Sequence, residues 1–474
     1  MAARKSEAIR HGDTAFLGHP RGLGWLAFSE AWERFSYYGM QALLVLYMTH
    51  QLLQPDHVEN VLGFGPFRAV IESFYGPLSP QALASAIFGL YAGFVYLTPI
   101  GGGILADRFL GRTQTVTIGA ILMALGHFLM AFDASFLAAL LCLLIGVGCF
   151  KGNIAAQVGD LYAPDDPRRA DAYQIYLLGV QIAVIISPLV CGTLGEVYGW
   201  HWGFGAAGIG MLVGLLIYLG GRSWLPPEPE RRRTASNPKP RLTAQDWRVV
   251  IVLAALVPVL AVGSVGNQQI FNAYLVWGEA NLQLVFFGKT MPITWMLSAG
   301  SVISTLMIIA TVMFWRWWST RWTEPNEITK LTIGVFIAAC APLILALASM
   351  LIAATGEKVG LGWALAFELV NDAGFSNVFP VGLALFSRAA PKSLGAVMIG
   401  VYYLHLFLGN MLVGWLGGLL EKMSPTNFWL LHVALIAASG VVLLIVRSAA
   451  GRALTPTDHA EDDPALIATA PIAD

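Results

Sequence analysis

Apolar positions along this chain gather into runs long enough to cross roughly 30 Å of hydrocarbon. They begin near Leu23, Leu83, Gln114, Phe136, Ala172, Trp202, Trp247, Pro292, Ile328, Leu361, Leu394 and Phe428, which predicts twelve helices joined by short polar connections. One connection is longer. Residues 222–246 hold Pro226, Pro227, Pro229, Pro238, Pro240 and the run Arg231, Arg232, Arg233, and they divide the helices into two sets of six. The expected organisation is a tail over 1–22, a first bundle over 23–221, a linker over 222–246, a second bundle over 247–450, and a polar, acidic tail over 451–474 that is expected to be disordered.

Composition strengthens the membrane reading. The chain is 56% hydrophobic and 12% charged with mean hydropathy +0.65, whereas soluble proteins carry about a quarter charged residues. An all-α integral membrane protein of the cell membrane is expected, in the inner membrane if the source is bacterial. A net charge of −1 offers no basic footprint for nucleic acid. Cys142, Cys149, Cys191 and Cys340 lie inside apolar runs without metal-ligand spacing and read as packing residues, so no metal is expected. The first twenty residues lack the apolar core of a signal peptide, which leaves targeting to the first span.

Positive charge sets the orientation. With the N-terminus inside, the inner segments hold 22 of the 28 Lys and Arg residues, and Arg34 and Lys151 fall within spans. Both termini are therefore expected in the cytoplasm. The Arg run of the linker belongs to the same signal, with binding to anionic lipid as the alternative.

Inside the first apolar run stand Glu30, Glu33 and Arg34. At 100° per residue Glu30, Arg34, Tyr38 and Gln41 share an arc of about 80°, with Glu33 about 60° to the other side of Glu30. Each charge at mid-bilayer costs roughly 2.5 to 3.5 kcal/mol on insertion scales, so this face must look into protein or a water-filled cavity and meet counter-charges. Glu30 to Arg34 is a favourable i,i+4 order. A static ion-pair network pinning two helices is the bland alternative.

Two sets of six helices joined by a polar inner loop resemble the major facilitator fold. The segment Gly101-Gly102-Gly103-Ile104-Leu105-Ala106-Asp107-Arg108-Phe109-Leu110-Gly111-Arg112 is similar to that fold's signature loop. Its glycines suit close helix packing, and Asp107, Arg108 and Arg112 suit a latch at the inner helix ends. A closer resemblance covers residues 23 to beyond 400. Glu30-x-x-Glu33-Arg34-Phe35-x-Tyr37-Tyr38-Gly39, Tyr96-Leu97-Thr98-Pro99-Ile100-Gly101-Gly102, Gly148-x-Phe150-Lys151-x-Asn153-Ile154 and Pro380-x-Gly382-Leu383 with Ala390-Pro391 resemble the motifs of the proton-dependent oligopeptide transporter family, one of the major facilitators. The resemblance implies a proton-driven importer of di- and tripeptides that works by alternating access, without a cofactor, and needs only a monomer to build its site. It implies that Glu30, Glu33, Arg34 and Lys151 couple protons to conformational change. Arg34 and Lys151 would face the peptide carboxylate, and Tyr38 and Tyr96 would line the pocket. Bacterial members usually carry two extra helices between the halves, which the linker here is too short to hold.

The chain also departs from the family. Gln41 stands where the family has an arginine, and Asn267-Gln268-Gln269 where it has the partner acid on the seventh helix. Losing both together leaves no stranded charge, and hydrogen bonds from Gln41 to Asn267 or Gln268 are expected in place of the ion pair. Phe375 and Phe379 occupy the family's tenth-helix glutamate and serine positions, Gln181 the fifth-helix asparagine and Gly300 the eighth-helix asparagine. The carboxylate clamp thus persists while the amine clamp does not. Glu368 and Asp372 are possible compensating acids, to hold a ligand ammonium or pair with Lys151; alternatively they bond to polar neighbours such as Asn371 or Asn377. His405 reads as a packed neutral ring, with a proton-relay role as the alternative.

Three functions are weighed: the proton-coupled peptide symporter, a transporter of the same fold for a non-peptide carboxylate-bearing solute, and a non-transporting membrane scaffold. No nucleophile with a paired base, metal cluster or phosphate-binding loop points to an enzyme.

Overall fold

The structure, a computed structural model, describes residues 13–163, 166–228, 242–391 and 393–450. Its helices are α1 Arg21–Tyr47, α2 Phe64–Tyr75, α3 Pro80–Leu105, α4 Arg112–Leu129, α5 Phe136–Asp160, α6 Arg168–Ser187, α7 Trp200–Gly220, α8 Ala244–Gly263, α9 Ala273–Asn281, α10 Trp295–Ser319, α11 Glu327–Thr355, α12 Gly362–Ala389, α13 Gly395–Gly417 and α14 Pro425–Ala450. The expected tail after Gly451 and linker residues 229–241 lie outside the described residues.

Among the described residues, ten helical segments are long and apolar enough to cross a membrane. The two further expected spans are helices as well, α1 with 27 residues and α4 with 18. Their polar residues account for the difference: α1 carries Glu30, Glu33 and Arg34, and α4 opens on Arg112, Thr113, Gln114 and Thr115. Two features were not anticipated. α2 lies in the connection after α1, stabilised by the i,i+4 pair Arg68 Nε to Glu72 Oε1 at 2.9 Å. The seventh span is broken into α8, a short turn Val265–Gln268, a 3₁₀ turn Gln269–Phe271 and α9.

The chain forms two compact units, one comprising Met1–Met40 and Leu97–Ala235, the other Gln41–Tyr96 and Ser236–Pro456. Each therefore contains part of α1 and part of α3. In the first, α4 packs against α5 and α7. The end of α3 approaches α5 so closely that a Cβ on Gly102 would overlap the Gly148 carbonyl, whereas Gly101 and Gly103 face open space. Of the three glycines read as packing residues, only the middle one has that role. The four cysteines are free; Cys149 and Cys191 are buried, but Cys340 is exposed on α11.

In the second unit, α11 packs against α12 and α14, α10 against α12, and α8 against α13 and α14. Leu253, Leu260, Leu331, Val335, Phe386 and Leu443 belong to its apolar core. A two-residue hairpin pairs Val285–Phe286 with Lys289–Thr290, its turn formed by Phe287 and Gly288 at positive φ.

Candidate functional site

The charges of α1 are brought together in the first unit. Glu30, Glu33 and Arg34 are 4%, 0% and 3% exposed. Arg34 Nε lies 3.1 Å from Glu30 Oε1 and also pairs with Glu33. A helix holds these partners without tertiary help, because residues 30 and 34 are one turn apart and 33 adjoins 34. Hydroxyls nearby satisfy themselves locally: Ser29 donates to the Trp25 carbonyl at 2.7 Å and Ser36 to the Trp32 carbonyl at 2.9 Å.

Other elements complete the cluster. Lys151 on α5 is half-buried and interacts electrostatically with Glu33, Glu30 and Arg34. The Tyr38 hydroxyl accepts from Arg34, and the Tyr176 hydroxyl of α6 donates to Glu30. The Arg34 guanidinium lies 5.3 Å from the Tyr37 ring centroid, within cation–π range. Sequence reasoning named every member except Tyr176. Its signal was faint, since a tyrosine in an apolar run usually packs. Two acids and two bases in low dielectric form a cluster without net charge, which is the arrangement that keeps buried charges tolerable.

Gln181 on α6 is half-buried, and Tyr96 is half-buried in the second unit. At the end of α3, Asp107 and Arg108 are exposed and form no ion pair among the described residues; Arg112 pairs with Asp160 at the end of α5.

In the second unit, the residues around the break carry hydrogen bonds in place of charge. Gln268 accepts from Asn410 Nδ2 at 2.9 Å and donates to Asn267 Oδ1 at 3.2 Å. Gln269 Nε2 lies 3.1 Å from His432 Nε2, and Asn272 Nδ2 donates to the Val413 carbonyl at 3.3 Å. Gln41 is buried, but no hydrogen bond reaches its carbonyl among the described residues. The expected bond from Gln41 to Asn267 or Gln268 is therefore replaced by one between Gln268 and α13, because an amide on α13 sits within bonding distance.

A polar seam runs between α10 and α12. Gly300, Ser304, Thr311 and Trp315 share a narrow face of α10. A Cβ on Gly300 would lie 2.9 Å from Glu368 Cδ, so the missing side chain gives the carboxyl its room. Ser304 bonds Asp372, Thr311 and Ser376 hydroxyls are 2.7 Å apart, and Trp315 Nε1 donates to Asn377 Oδ1 at 2.7 Å. Glu368 also faces the Tyr274 hydroxyl. Neither acid bonds to Asn371 or Asn377, the neighbours expected from sequence. Phe375 and Phe379 stack at 5.5 Å, and Phe379 lies 6.5 Å from the buried His405 ring. His405 Nδ1 is bound to the Tyr402 carbonyl. No group of three potential metal ligands occurs among the described residues.

The chain is similar in sequence and in fold to known transporters. The sequence profile described as PTR2, POT family, matches residues 113–256. The chain is 28% identical to the peptide transporter YePEPT of Yersinia enterocolitica, across 92% of this chain and 95% of that protein. It is also 28% identical to a di-/tripeptide transporter of Lactococcus lactis, across 92% of this chain and 96% of that one. A crystal structure of peptide transporter POT in complex with sulfate superimposes with TM-score 0.79 at 23% identity, covering 96% of this chain and 99% of that one. A POT family transporter in complex with 5-aminolevulinic acid gives TM-score 0.74 at 22% identity, over 94% and 99%. The fold is thus of the major facilitator type, and the protein is a multi-pass protein of the cell membrane.

Proposed function

We propose that the chain is a member of the POT family, whose profile matches residues 113–256, and that it is a proton-coupled symporter that imports di- and tripeptides by alternating access. The observation that carries the proposal is the buried cluster of Glu30, Glu33 and Arg34 with Lys151 beside it. Its charge balance supplies a coupling rule. With both acids ionised and both bases charged, the cluster is neutral and Arg34 is occupied by its own helix. A proton on Glu33 releases Arg34 from that partner and leaves one positive charge over, which a peptide carboxylate neutralises. Proton and carboxylate therefore enter together at least cost, and the loaded and empty clusters are the two neutral states. Tyr38 accepts from Arg34 and Tyr176 donates to Glu30, so each adds a hydroxyl contact to the cluster.

Glu30, Glu33, Arg34 and Lys151 are assigned to coupling, and Arg34, Lys151, Tyr38, Tyr96, Gln181, Gln268 and Phe375 to substrate contact. Peptide transport by the relatives from Yersinia and Lactococcus supports the substrate class. Labelled dialanine entering proteoliposomes under an inward proton gradient is the direct test; no uptake above empty liposomes across a panel of di- and tripeptides refutes it.

A second reading keeps the fold and changes the solute. The stacked Phe375 and Phe379 in place of the family's tenth-helix acid and serine favour a carboxylate-bearing substrate without a peptide's amine. Lumen acidification driven by such a solute, in the absence of peptide uptake, selects this reading. Binding without any flux selects a scaffold.

A further inference from the structure

The seam between α10 and α12 is satisfied at one end and unsatisfied at the other. Thr311 with Ser376 and Trp315 with Asn377 close each other's hydrogen bonds. At Glu368 and Asp372 the accounting changes. Glu368 is 1% exposed and Asp372 4%, one helical turn apart on the same face of α12. No ion pair reaches either among the described residues. Glu368 Oε1 and both amide atoms of the buried neighbour Asn371 lack hydrogen-bond partners there, and the hydroxyl of the fully buried Tyr274 is directed at the Glu368 carboxyl.

Static structure does not explain this end. Two ionised carboxylates sealed from water without a cation are a charge arrangement that a low-dielectric interior does not hold; such groups take up protons instead. Unpaired buried polar atoms beside them are rare in a folded protein and call for a functional explanation. An ionisable residue within a span is by default a functional group, and here two share one site. The titratable groups around it are few. α9 presents Tyr274 and α10 presents only the Ser304 hydroxyl. Along α11, Glu327 pairs with Arg388 and Lys330 with Glu324, while His405 of α13 faces Phe379. None of these neutralises the pair.

We propose that Glu368 and Asp372, with Tyr274 and Ser304 as hydroxyl donors, form a second proton-binding site, separate from the α1 cluster, which is loaded and emptied during transport. Gly300 is the residue that makes it fit. The proton moves as such, from bulk water to a carboxylate oxygen and back, so no bond other than O–H forms or breaks.

The proposal rests on the reading of the chain as a proton-coupled transporter, and two measurements on the full chain keep the two apart. Infrared difference spectra of the purified protein, recorded between acid and alkaline pH without substrate, report protonated carboxyl groups directly. A titrating carboxylic acid band that survives Glu33→Gln but is diminished in both Glu368→Gln and Asp372→Asn is expected. Proteoliposomes then give the role: Asp372→Asn loses proton-driven accumulation while retaining counterflow exchange. A band unchanged by both substitutions, or wild-type accumulation in Asp372→Asn, overturns the proposal. A wild-type protein that exchanges no peptide refutes the peptide reading, and the infrared result still decides whether the pair binds protons. Should Glu368→Gln fail to fold, Tyr274→Phe serves in its place, with a shifted carboxylic acid band expected and an unshifted one counting against the site.

Discussion

The Glu228 carboxylate accepts the backbone N–H of Thr113 at 2.7 Å and, with its second oxygen, that of Arg112 at 2.9 Å. A residue at the edge of the linker thus supplies the acceptors that the first turn of α4 lacks, where the helix dipole also favours negative charge.

Removing that cap destabilises the first unit. Partial burial opposes ionisation of Glu228, but hydrogen bonds from the Thr113 hydroxyl and the Thr113 and Arg112 amides outweigh it, aided by the Arg112 charge, and hold the carboxyl below its usual 4.5. A lowered folded value means stability that is complete above 4.5 and lost as pH falls through the lowered value. Cap removals cost about 1 kcal/mol. Thermal unfolding in detergent is expected to show Glu228→Ala melting below wild type at neutral pH, with the gap closing in acid.

Lys151→Ala and Glu33→Gln are expected to abolish proton-driven accumulation in proteoliposomes. Glu33→Gln retains counterflow, because exchange moves no net proton. Wild-type accumulation in either variant contradicts the assignment of coupling to this cluster.

Ligand chemistry separates the two ends of the substrate. Esterifying the carboxylate of a transported peptide is expected to weaken competition for uptake more than acetylating its amine. Phe375 and Phe379 offer no charge to an ammonium, whereas Arg34, once a proton on Glu33 releases it, and Lys151 are the positive charges proposed to meet a carboxylate. The reverse order shows that another acid has taken over the amine.

Neighbouring glycines respond differently to one methyl group. A Cβ on Gly102 meets the Gly148 backbone, which has no side chain to move aside, whereas one on Gly101 meets nothing within 4 Å. Overpacking typically costs about 1–3 kcal/mol. Gly102→Ala is expected to lower the unfolding temperature and Gly101→Ala to leave it unchanged, measured by size-exclusion after heating.

Much of this was legible in the linear pattern, for identifiable reasons. Apolar run length marks a membrane helix whatever its neighbours, so the helices fall where the runs are. Glu30, Glu33 and Arg34 stood out because charge inside such a run is expensive, and local spacing alone brings Arg34 to both acids. Tyr176 stayed hidden because its partner, Glu30, lies on a different helix and nothing in a tyrosine's local context shows which way it faces. The relation between Gly300 and Glu368 was hidden for a similar reason: each helix shows only half of a space shared between them. The break after α8 was missed because no proline stands in it; the nearest, Pro258, lies inside α8.

That break gives the seventh span the mechanics of a jointed rod. A continuous helix resists bending through its whole ladder of backbone hydrogen bonds, whereas here α8 and α9 meet across the short turns from Val265 to Asn272. The joint is secured by side chains, with Gln268 held by Asn410, Gln269 beside His432 and Asn272 bonded to the Val413 carbonyl. Each such neutral bond has a net worth of about 1 kcal/mol, so swinging one segment against the other exchanges a few amide contacts and leaves both helices whole.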